Sequence, residues 1–300
     1  MPVPPPLQPG DAVALLSTAR KINPPDLAPA ITLLQTWGLT VEQGKTLQLE
    51  HHQFAGTAPQ RLADLQQALD NPVIKAIFCA RGGYGTTQII DQLNFTQFAR
   101  YPKWIVGFSD ITVLHSHLHT TLGMATLHAT MPINYPQNTT QALQTLHHAL
   151  FSHTPPNYHF APHPLNQTGA AQGILVGGNL SLLYALIGTP SDLDTAGKIL
   201  FIEDLDEYLY HIDRMMNALL RSGKLHRLAG LLVGGMTDMK DNPIPFGENA
   251  EQIIARYAQP FNFPVAFGFP AGHTPDNRAL VMGIPARLQV QQTGCSLLYG

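Results

Sequence analysis

From residue 10 to about 150 the chain alternates short apolar runs with amphipathic segments. That rhythm allows few folds, because each apolar run must lie in a parallel sheet whose faces the amphipathic segments cover. Ala12 to Leu16 reads as the first strand. Asp26 to Trp37 reads as a helix with Leu27, Ile31 and Leu34 on one face, and Gly38 follows where a left-handed cap is wanted. A strand at Leu39 to Glu42 comes next, then a helix from Pro59 to Leu69 that Asn71-Pro72 stops, then a strand from Val73 to Cys79. After Arg81-Gly82-Gly83-Tyr84-Gly85 the pattern predicts a helix, a strand from Trp104 to Phe108, a His-rich helix, a short segment around Leu127 to Met131, and a helix ending near Phe151. The expectation for 1–151 is an α/β domain of Rossmann or flavodoxin-like type.

Between Ser152 and Thr168 the periodicity stops, and Pro155-Pro156, Pro162 and Pro164 mark a linker over 152–168. Beyond it, 169–300 is expected to form a smaller C-terminal α/β domain. Its strands fall at Ala171 to Val176, Ile199 to Ile202, Gly230 to Val233, Val265 to Phe267 and Arg287 to Val290, with helices near Leu180 to Ile187, Ile212 to Arg221 and Glu248 to Ala258.

Composition removes several classes of function. Lys and Arg number 17 against 20 Asp and Glu, with no run of five like charges, which argues against nucleic acid or an anionic membrane as the main partner. No stretch of eighteen apolar residues occurs, and the Pro-rich start lacks the basic segment and apolar block of a signal peptide, so a soluble, cytoplasmic protein is expected. Two cysteines, Cys79 and Cys295, fit a reducing compartment. Cys79 sits in an apolar run and reads as a small buried hydrophobe rather than a nucleophile. His115 and His119 share a helix face, yet no His-Glu-x-x-His or Cys-x-x-Cys pattern accompanies them, so no metal site is expected.

The chemistry concentrates at Gly107-Phe108-Ser109-Asp110, where an apolar strand runs straight into a helix. Such a junction lifts a hydroxyl to the carboxyl edge of a sheet, where acyl-transfer nucleophiles sit; Ser and Asp are also ordinary N-caps. Three glycine-bearing loops are expected after strands: Arg81-Gly82-Gly83-Tyr84-Gly85, Val176-Gly177-Gly178-Asn179 and Gly234-Gly235. The first can turn amides toward a developing negative charge, with the amide of Asp110 as the second half of an oxyanion hole. Nucleotide binding is disfavoured: Ser17-Thr18-Ala19-Arg20-Lys21, after the first strand, has no glycine. A serine nucleophile needs a base and the base a carboxylate. His273, bracketed by Pro270 and Pro275, is the candidate base; Glu203 ends an apolar strand, and spacing alone does not separate it from Asp204, Asp206 and Glu207.

Taken together, these pieces resemble the bacterial LD-carboxypeptidases of the murein tetrapeptide carboxypeptidase type, a family that includes the microcin C immunity peptidases. The resemblance rests on five ordered motifs: Arg81 to Gly85, Gly107 to Thr112, Val176 to Leu180, Phe201 to Asp204 followed by His211 to Met215, and Gly268 to His273. It implies a Ser-His-Glu triad of Ser109, His273 and Glu203, an oxyanion hole from Gly83 and Asp110, and an active site in an interdomain cleft. It further implies release of a C-terminal D-alanine from a murein-derived tetrapeptide in peptidoglycan recycling, no cofactor, and a homodimer. Where the family usually has His-Gly-Pro, this chain has His128-Ala129-Thr130. Recognition of the free carboxylate suits an arginine fork, for which Arg81 and Arg278 are candidates unless they serve in structural ion pairs. The competing readings are a peptidase for acyl-sulfamoyl or phosphoramidate adenylates on the same scaffold and a non-catalytic peptide- or nucleotide-binding protein.

Overall fold

The structure, a computed structural model, describes residues 2–300; Met1 lies outside the described residues. The N-terminal half carries β1 (Ala12–Leu16), α1 (Ala28–Thr36), β2 (Thr40–Gln43), α2 (Ala58–Asp70), β3 (Ile74–Cys79), α3 (Thr96–Arg100), β4 (Trp104–Gly107), α4 (Thr112–Leu122), β5 (Thr126–His128) and α5 (Thr140–Phe151). These five strands pair in parallel in the order β2-β1-β3-β4-β5, the flavodoxin-like order. Both faces of the sheet are covered, and β1 shows why its run is continuously apolar. Val13 and Leu15 enter one core while Ala14 and Leu16 enter the other.

The second half adds β6 (Tyr158–Phe160), β7 (Gly169–Asn179), α6 (Leu180–Ala185), β8 (Ile199–Leu205), α7 (Leu209–Arg221), β9 (Gly230–Thr237), α8 (Ala250–Ala258), β10 (Val265–Ala266), β11 (Leu280–Met282), β12 (Pro285–Gln291) and β13 (Gly294–Tyr299). Seven of these strands form a mixed sheet, β10-β9-β8-β7-β12-β13-β6. The long β7 joins its two parts: Leu175 to Asn179 pair in parallel with β8, while Gly169 to Ile174 pair antiparallel with β12. In β8, Leu200 and Ile202 face the core under α7, where Ile212, Met215, Met216 and Leu219 are buried at helical spacing. Ile199 and Phe201 face the opposite core.

Three sequence expectations need correction, and one strand went unread. The helix expected after the glycine turn is two 3-10 turns, Thr86–Gln88 and Ile90–Gln92, followed by the five-residue α3; Thr86 directs its N–H to the carboxylate of Asp110 instead of a helical ladder. The segment 152–168 is more than a linker, since β6 pairs with β13 and Gln167 bridges to Val265. Val176-Gly177-Gly178-Asn179 and Gly234-Gly235 are not loops but the ends of β7 and β9; a Cβ at Gly177 would fall 2.0 Å from the Phe201 carbonyl oxygen, so glycine there lets β7 close on β8. Finally, β11 leaves the second half to pair antiparallel with β5, making a sixth strand of the first sheet. Among the described residues no helix is long and apolar enough to cross a membrane.

Candidate active site

Strand β4 ends at Gly107, Phe108 stays extended, and Ser109 turns abruptly with φ +60°. The left-handed region is unusual for a residue with a Cβ and costs about 1–2 kcal/mol. A 3-10 turn, Ser109–Ile111, then feeds α4. No side chain caps this helix start, so the capping role open to Ser109 and Asp110 is not used. The carbonyl of Gly107 accepts hydrogen bonds from His115 Nε2 at 2.9 Å and from the Ala129 amide at 3.1 Å, which fixes the end of β4 from two sides. His115 is fully enclosed; burial drives its pKa down to about 4, so it works as a neutral donor.

The glycine turn after β3 lies against this elbow. A Cβ at Gly82 would sit 3.4 Å from Ser109 Oγ, and Gly83, at φ +107°, carries the turn onward. Asp110, fully buried, accepts from the Thr86 N–H at 3.0 Å and the Thr86 hydroxyl at 2.6 Å. Burial pushes its pKa up, opposed by the Thr86 hydrogen bonds, those of the backbone, and the charge of Arg61. Thr86 in turn meets Thr18 Oγ1 at 2.8 Å, and Arg61 donates to the carbonyls of Thr18 and Gly85 at 2.7 and 2.9 Å. The loops after β1 and β3 and the start of α4 are thereby one polar unit.

From the second half, His273 Nδ1 lies 2.7 Å from Glu203 Oε2. A carboxylate only accepts, so the proton sits on Nδ1 and Nε2 is left as a lone-pair base. Glu203 is completely buried at β8, and Gly272, at φ +108°, packs so closely that a Cβ there would fall 2.7 Å from Oε2. Burial works against a charge on His273, but the charge and hydrogen bond of Glu203, with the charge of Asp204, outweigh it and raise its pKa. Asp204 points elsewhere. It accepts from Asn179 Nδ2, Ser181 N and Leu205 N, all at 2.8 Å, pinning α6 to β8; burial, reinforced by the charge of Glu203, lifts it to about 7. The two halves meet at the elbow: the rings of Phe108 and His273 are 4.7 Å apart, and the Asn179 amide donates to Thr112 Oγ1 at 2.9 Å.

The remaining sequence candidates make contacts of their own. Arg278 grips Asp276 through Nε and Nη2 at 2.9 to 3.2 Å, the structural ion pair weighed as its alternative. Arg81 reaches the Lys21 carbonyl at 3.4 Å. Cys79 is buried, and burial raises its thiol to about 12. Among the described residues no group of three or more His, Cys, Asp or Glu is placed to hold a metal ion. The segment His128-Ala129-Thr130 supports the histidine loop, because the Thr130 hydroxyl donates to Asn138, whose side-chain amide donates to the Pro275 carbonyl at 2.9 Å. Sequence reasoning missed Thr86 and Arg61; their roles come from contacts across 24 and 43 positions, for which no local pattern exists.

Comparison with known proteins identifies the family of the chain. The LD-carboxypeptidase N-terminal domain model matches residues 13–129 and the LD-carboxypeptidase C-terminal domain model matches residues 172–288. The chain is 36% identical to a probable murein peptide carboxypeptidase of Bacillus subtilis (95% of this chain, 91% of that one) and 32% identical to a murein tetrapeptide carboxypeptidase of Pseudomonas aeruginosa (92% of each). Its fold superposes on a muramoyltetrapeptide carboxypeptidase from Oxalobacter formigenes with a TM-score of 0.88 at 28% identity, covering 96% of this chain and 98% of that one. A microcin C7 self-immunity protein in complex with aspartyl sulfamoyl adenosine shares the fold at 18% identity and a TM-score of 0.87, over 98% of both chains. The chain belongs to the LD-carboxypeptidase family.

Proposed function

We propose that this protein is a serine carboxypeptidase that releases the C-terminal D-alanine of murein tetrapeptides by hydrolysing the L,D bond between the diamino acid and D-alanine. The observation that carries the reading is the His273–Glu203 pair, with Nε2 left as a base and the imidazole packed on Phe108, the residue before a serine held in the left-handed turn of a strand-to-helix elbow. The names of the relatives favour the same substrate class.

In the proposed mechanism His273 Nε2 takes the proton from Ser109 as Oγ attacks the scissile carbonyl carbon, and Glu203 stabilises the imidazolium. The carbonyl oxygen, now negative, is received by the amides of Gly83 and Asp110. Collapse of the tetrahedral intermediate breaks the C–N bond, and the imidazolium gives its proton to the departing D-alanine amine. A water, deprotonated by the same imidazole, then hydrolyses the acyl-enzyme. Ser109 comes from the first half of the chain and both partners from the second, so the reaction lies in an interdomain cleft between 1–151 and 169–300. By resemblance the protein acts in the cytoplasm as a homodimer. Arg81 stays a candidate contact for the substrate; Arg278, already bound to Asp276, does not.

The test is incubation with murein tetrapeptide and detection of free D-alanine. Absence of D-alanine, together with cleavage of an aminoacyl sulfamoyl adenosine, would select the adenylate peptidase reading. Binding of either ligand without turnover would select the non-catalytic one.

A further inference from the structure

We propose that Arg20 binds the free carboxylate of the residue that the enzyme releases, an inference that rests on the carboxypeptidase reading above. Arg20 lies in the loop after β1, and the glycine turn lies in the loop after β3. In the order β2-β1-β3-β4-β5 the connections diverge between β1 and β3, the crevice where open α/β sheets take their ligands. The arginine stem runs along Gly83: a Cβ there would meet Arg20 Cδ at 2.6 Å and Nε at 3.0 Å. Gly82, the preceding residue, borders Ser109 Oγ. The arginine side chain therefore lies against the same turn that the mechanism uses for the scissile carbonyl, one residue from the contact with the nucleophile's oxygen.

Its availability separates it from the cations around it. Lys21 is paired with Glu50 at 2.7 Å, Arg61 is buried on backbone carbonyls, and Arg278 is held by Asp276. Arg20 is exposed, and among the described residues its side chain takes part in no ion pair or hydrogen bond. Its backbone, by contrast, is fixed: the amide donates to the Gly82 carbonyl at 3.4 Å and the carbonyl accepts from Ser17 Oγ at 2.7 Å. A cation on an anchored backbone, next to the candidate oxyanion turn and without an acidic partner, suits a carboxylate a few bonds beyond the scissile carbon. A planar fork matches that group with two parallel hydrogen bonds.

The experiment compares two tetrapeptides that differ only in ending as D-alanine or D-alaninamide. The wild type is expected to favour the free acid. In Arg20→Gln the ratio of kcat/KM for acid over amide should fall about ten- to a hundredfold, mainly through KM for the acid, and Arg20→Lys should recover part of it. A general structural lesion would lower both rates and leave the ratio in place. The proposal is overturned if the ratio survives Arg20→Gln, or if it collapses in Arg81→Gln while Arg20→Gln keeps it. Failure of the wild type to cleave either peptide overturns the carboxypeptidase reading along with it, whereas cleavage with an Arg20-independent ratio overturns only the role of Arg20.

Discussion

Asp110 carries Thr86 on its side chain, accepting the threonine's N–H at 3.0 Å and its hydroxyl at 2.6 Å. The residue that follows Ser109 thereby holds the end of the glycine turn, so the two amides proposed for the oxyanion hole are set by one hydrogen-bonded unit. Since the Thr86 hydroxyl donates to a carboxylate, its lone pair is free to accept from Thr18, which ties the β1 loop into the same unit. Thr86→Val keeps the size and loses the hydroxyl. It is expected to lower kcat roughly tenfold or more with little change in KM, because a displacement of about 1 Å at such a site costs up to two powers of ten in rate. Thr86→Ser should restore most of the loss, and a Thr86→Val enzyme with full kcat would disconnect this network from catalysis.

The proposed triad makes its own quantitative demand. Ser109→Ala or His273→Ala should reduce kcat by roughly four or more powers of ten, and the double variant should cost little more than either single one, because nucleophile and base act as one unit. Independent, multiplicative losses would mean that they do not. The neighbouring carboxylates should separate cleanly. Glu203→Gln is expected to depress the rate, whereas Asp204→Asn sets an amide NH2 against backbone or side-chain donors now satisfied by a carboxylate. Its effect should appear in thermal stability, at about 1–3 kcal/mol, more than in kcat. A reversed pattern would exchange the roles given to Glu203 and Asp204.

The pH dependence follows from the raised pKa of His273. Only neutral imidazole is a base, so kcat/KM should climb with pH through a midpoint above the ordinary histidine value of about 6.5. Burial alone would favour the neutral ring and push the midpoint down; the charge and hydrogen bond of Glu203 are what hold it up. Glu203→Gln removes that charge, so its acid limb should move to lower pH even as its plateau falls. A limb that stays in place or moves upward in the pH profile would show that the titrating group is not His273 beside Glu203.

Much of this was legible in the sequence because the signals are local. The apolar run Ala12 to Leu16 needs no context to be a buried parallel strand, and the passage from Trp104 through Gly107 to Ser109 announces a strand that turns sharply into a helix. What escaped depends on partners far along the chain. The three residues of β11 carry too little pattern to reveal that they return to β5, and β6, also three residues long, is a strand only because β13 lies beside it. Gly177-Gly178 looked like a turn because glycine usually marks one, but here tight packing of β7 on β8 requires it inside a strand. Asp110 is readable as an amide beside a candidate nucleophile, while the work of its carboxylate depends on Thr86, which only the folded chain brings near.

The stereochemistry of the leaving residue gives the test that separates this reading from a general serine peptidase. If the scissile carbonyl is fixed on Gly83 and Asp110 while the terminal carboxylate is fixed at the same rim, two points on either side of the released residue's α-carbon are set. Its methyl group then has one side available. Inverting that centre drives the methyl toward the wall or draws the carbonyl out of the hole, and about 1 Å of misplacement costs two powers of ten in rate. A pentapeptide ending in D-alanyl-D-alanine places its carboxylate one residue farther from the L,D bond and cannot satisfy both points there. The protein is therefore expected to release D-alanine from the tetrapeptide at least a hundredfold faster than it releases L-alanine from the L-terminated analogue or cleaves the pentapeptide. Comparable rates on all three would sink the LD-specific assignment even with Ser109 established as the nucleophile.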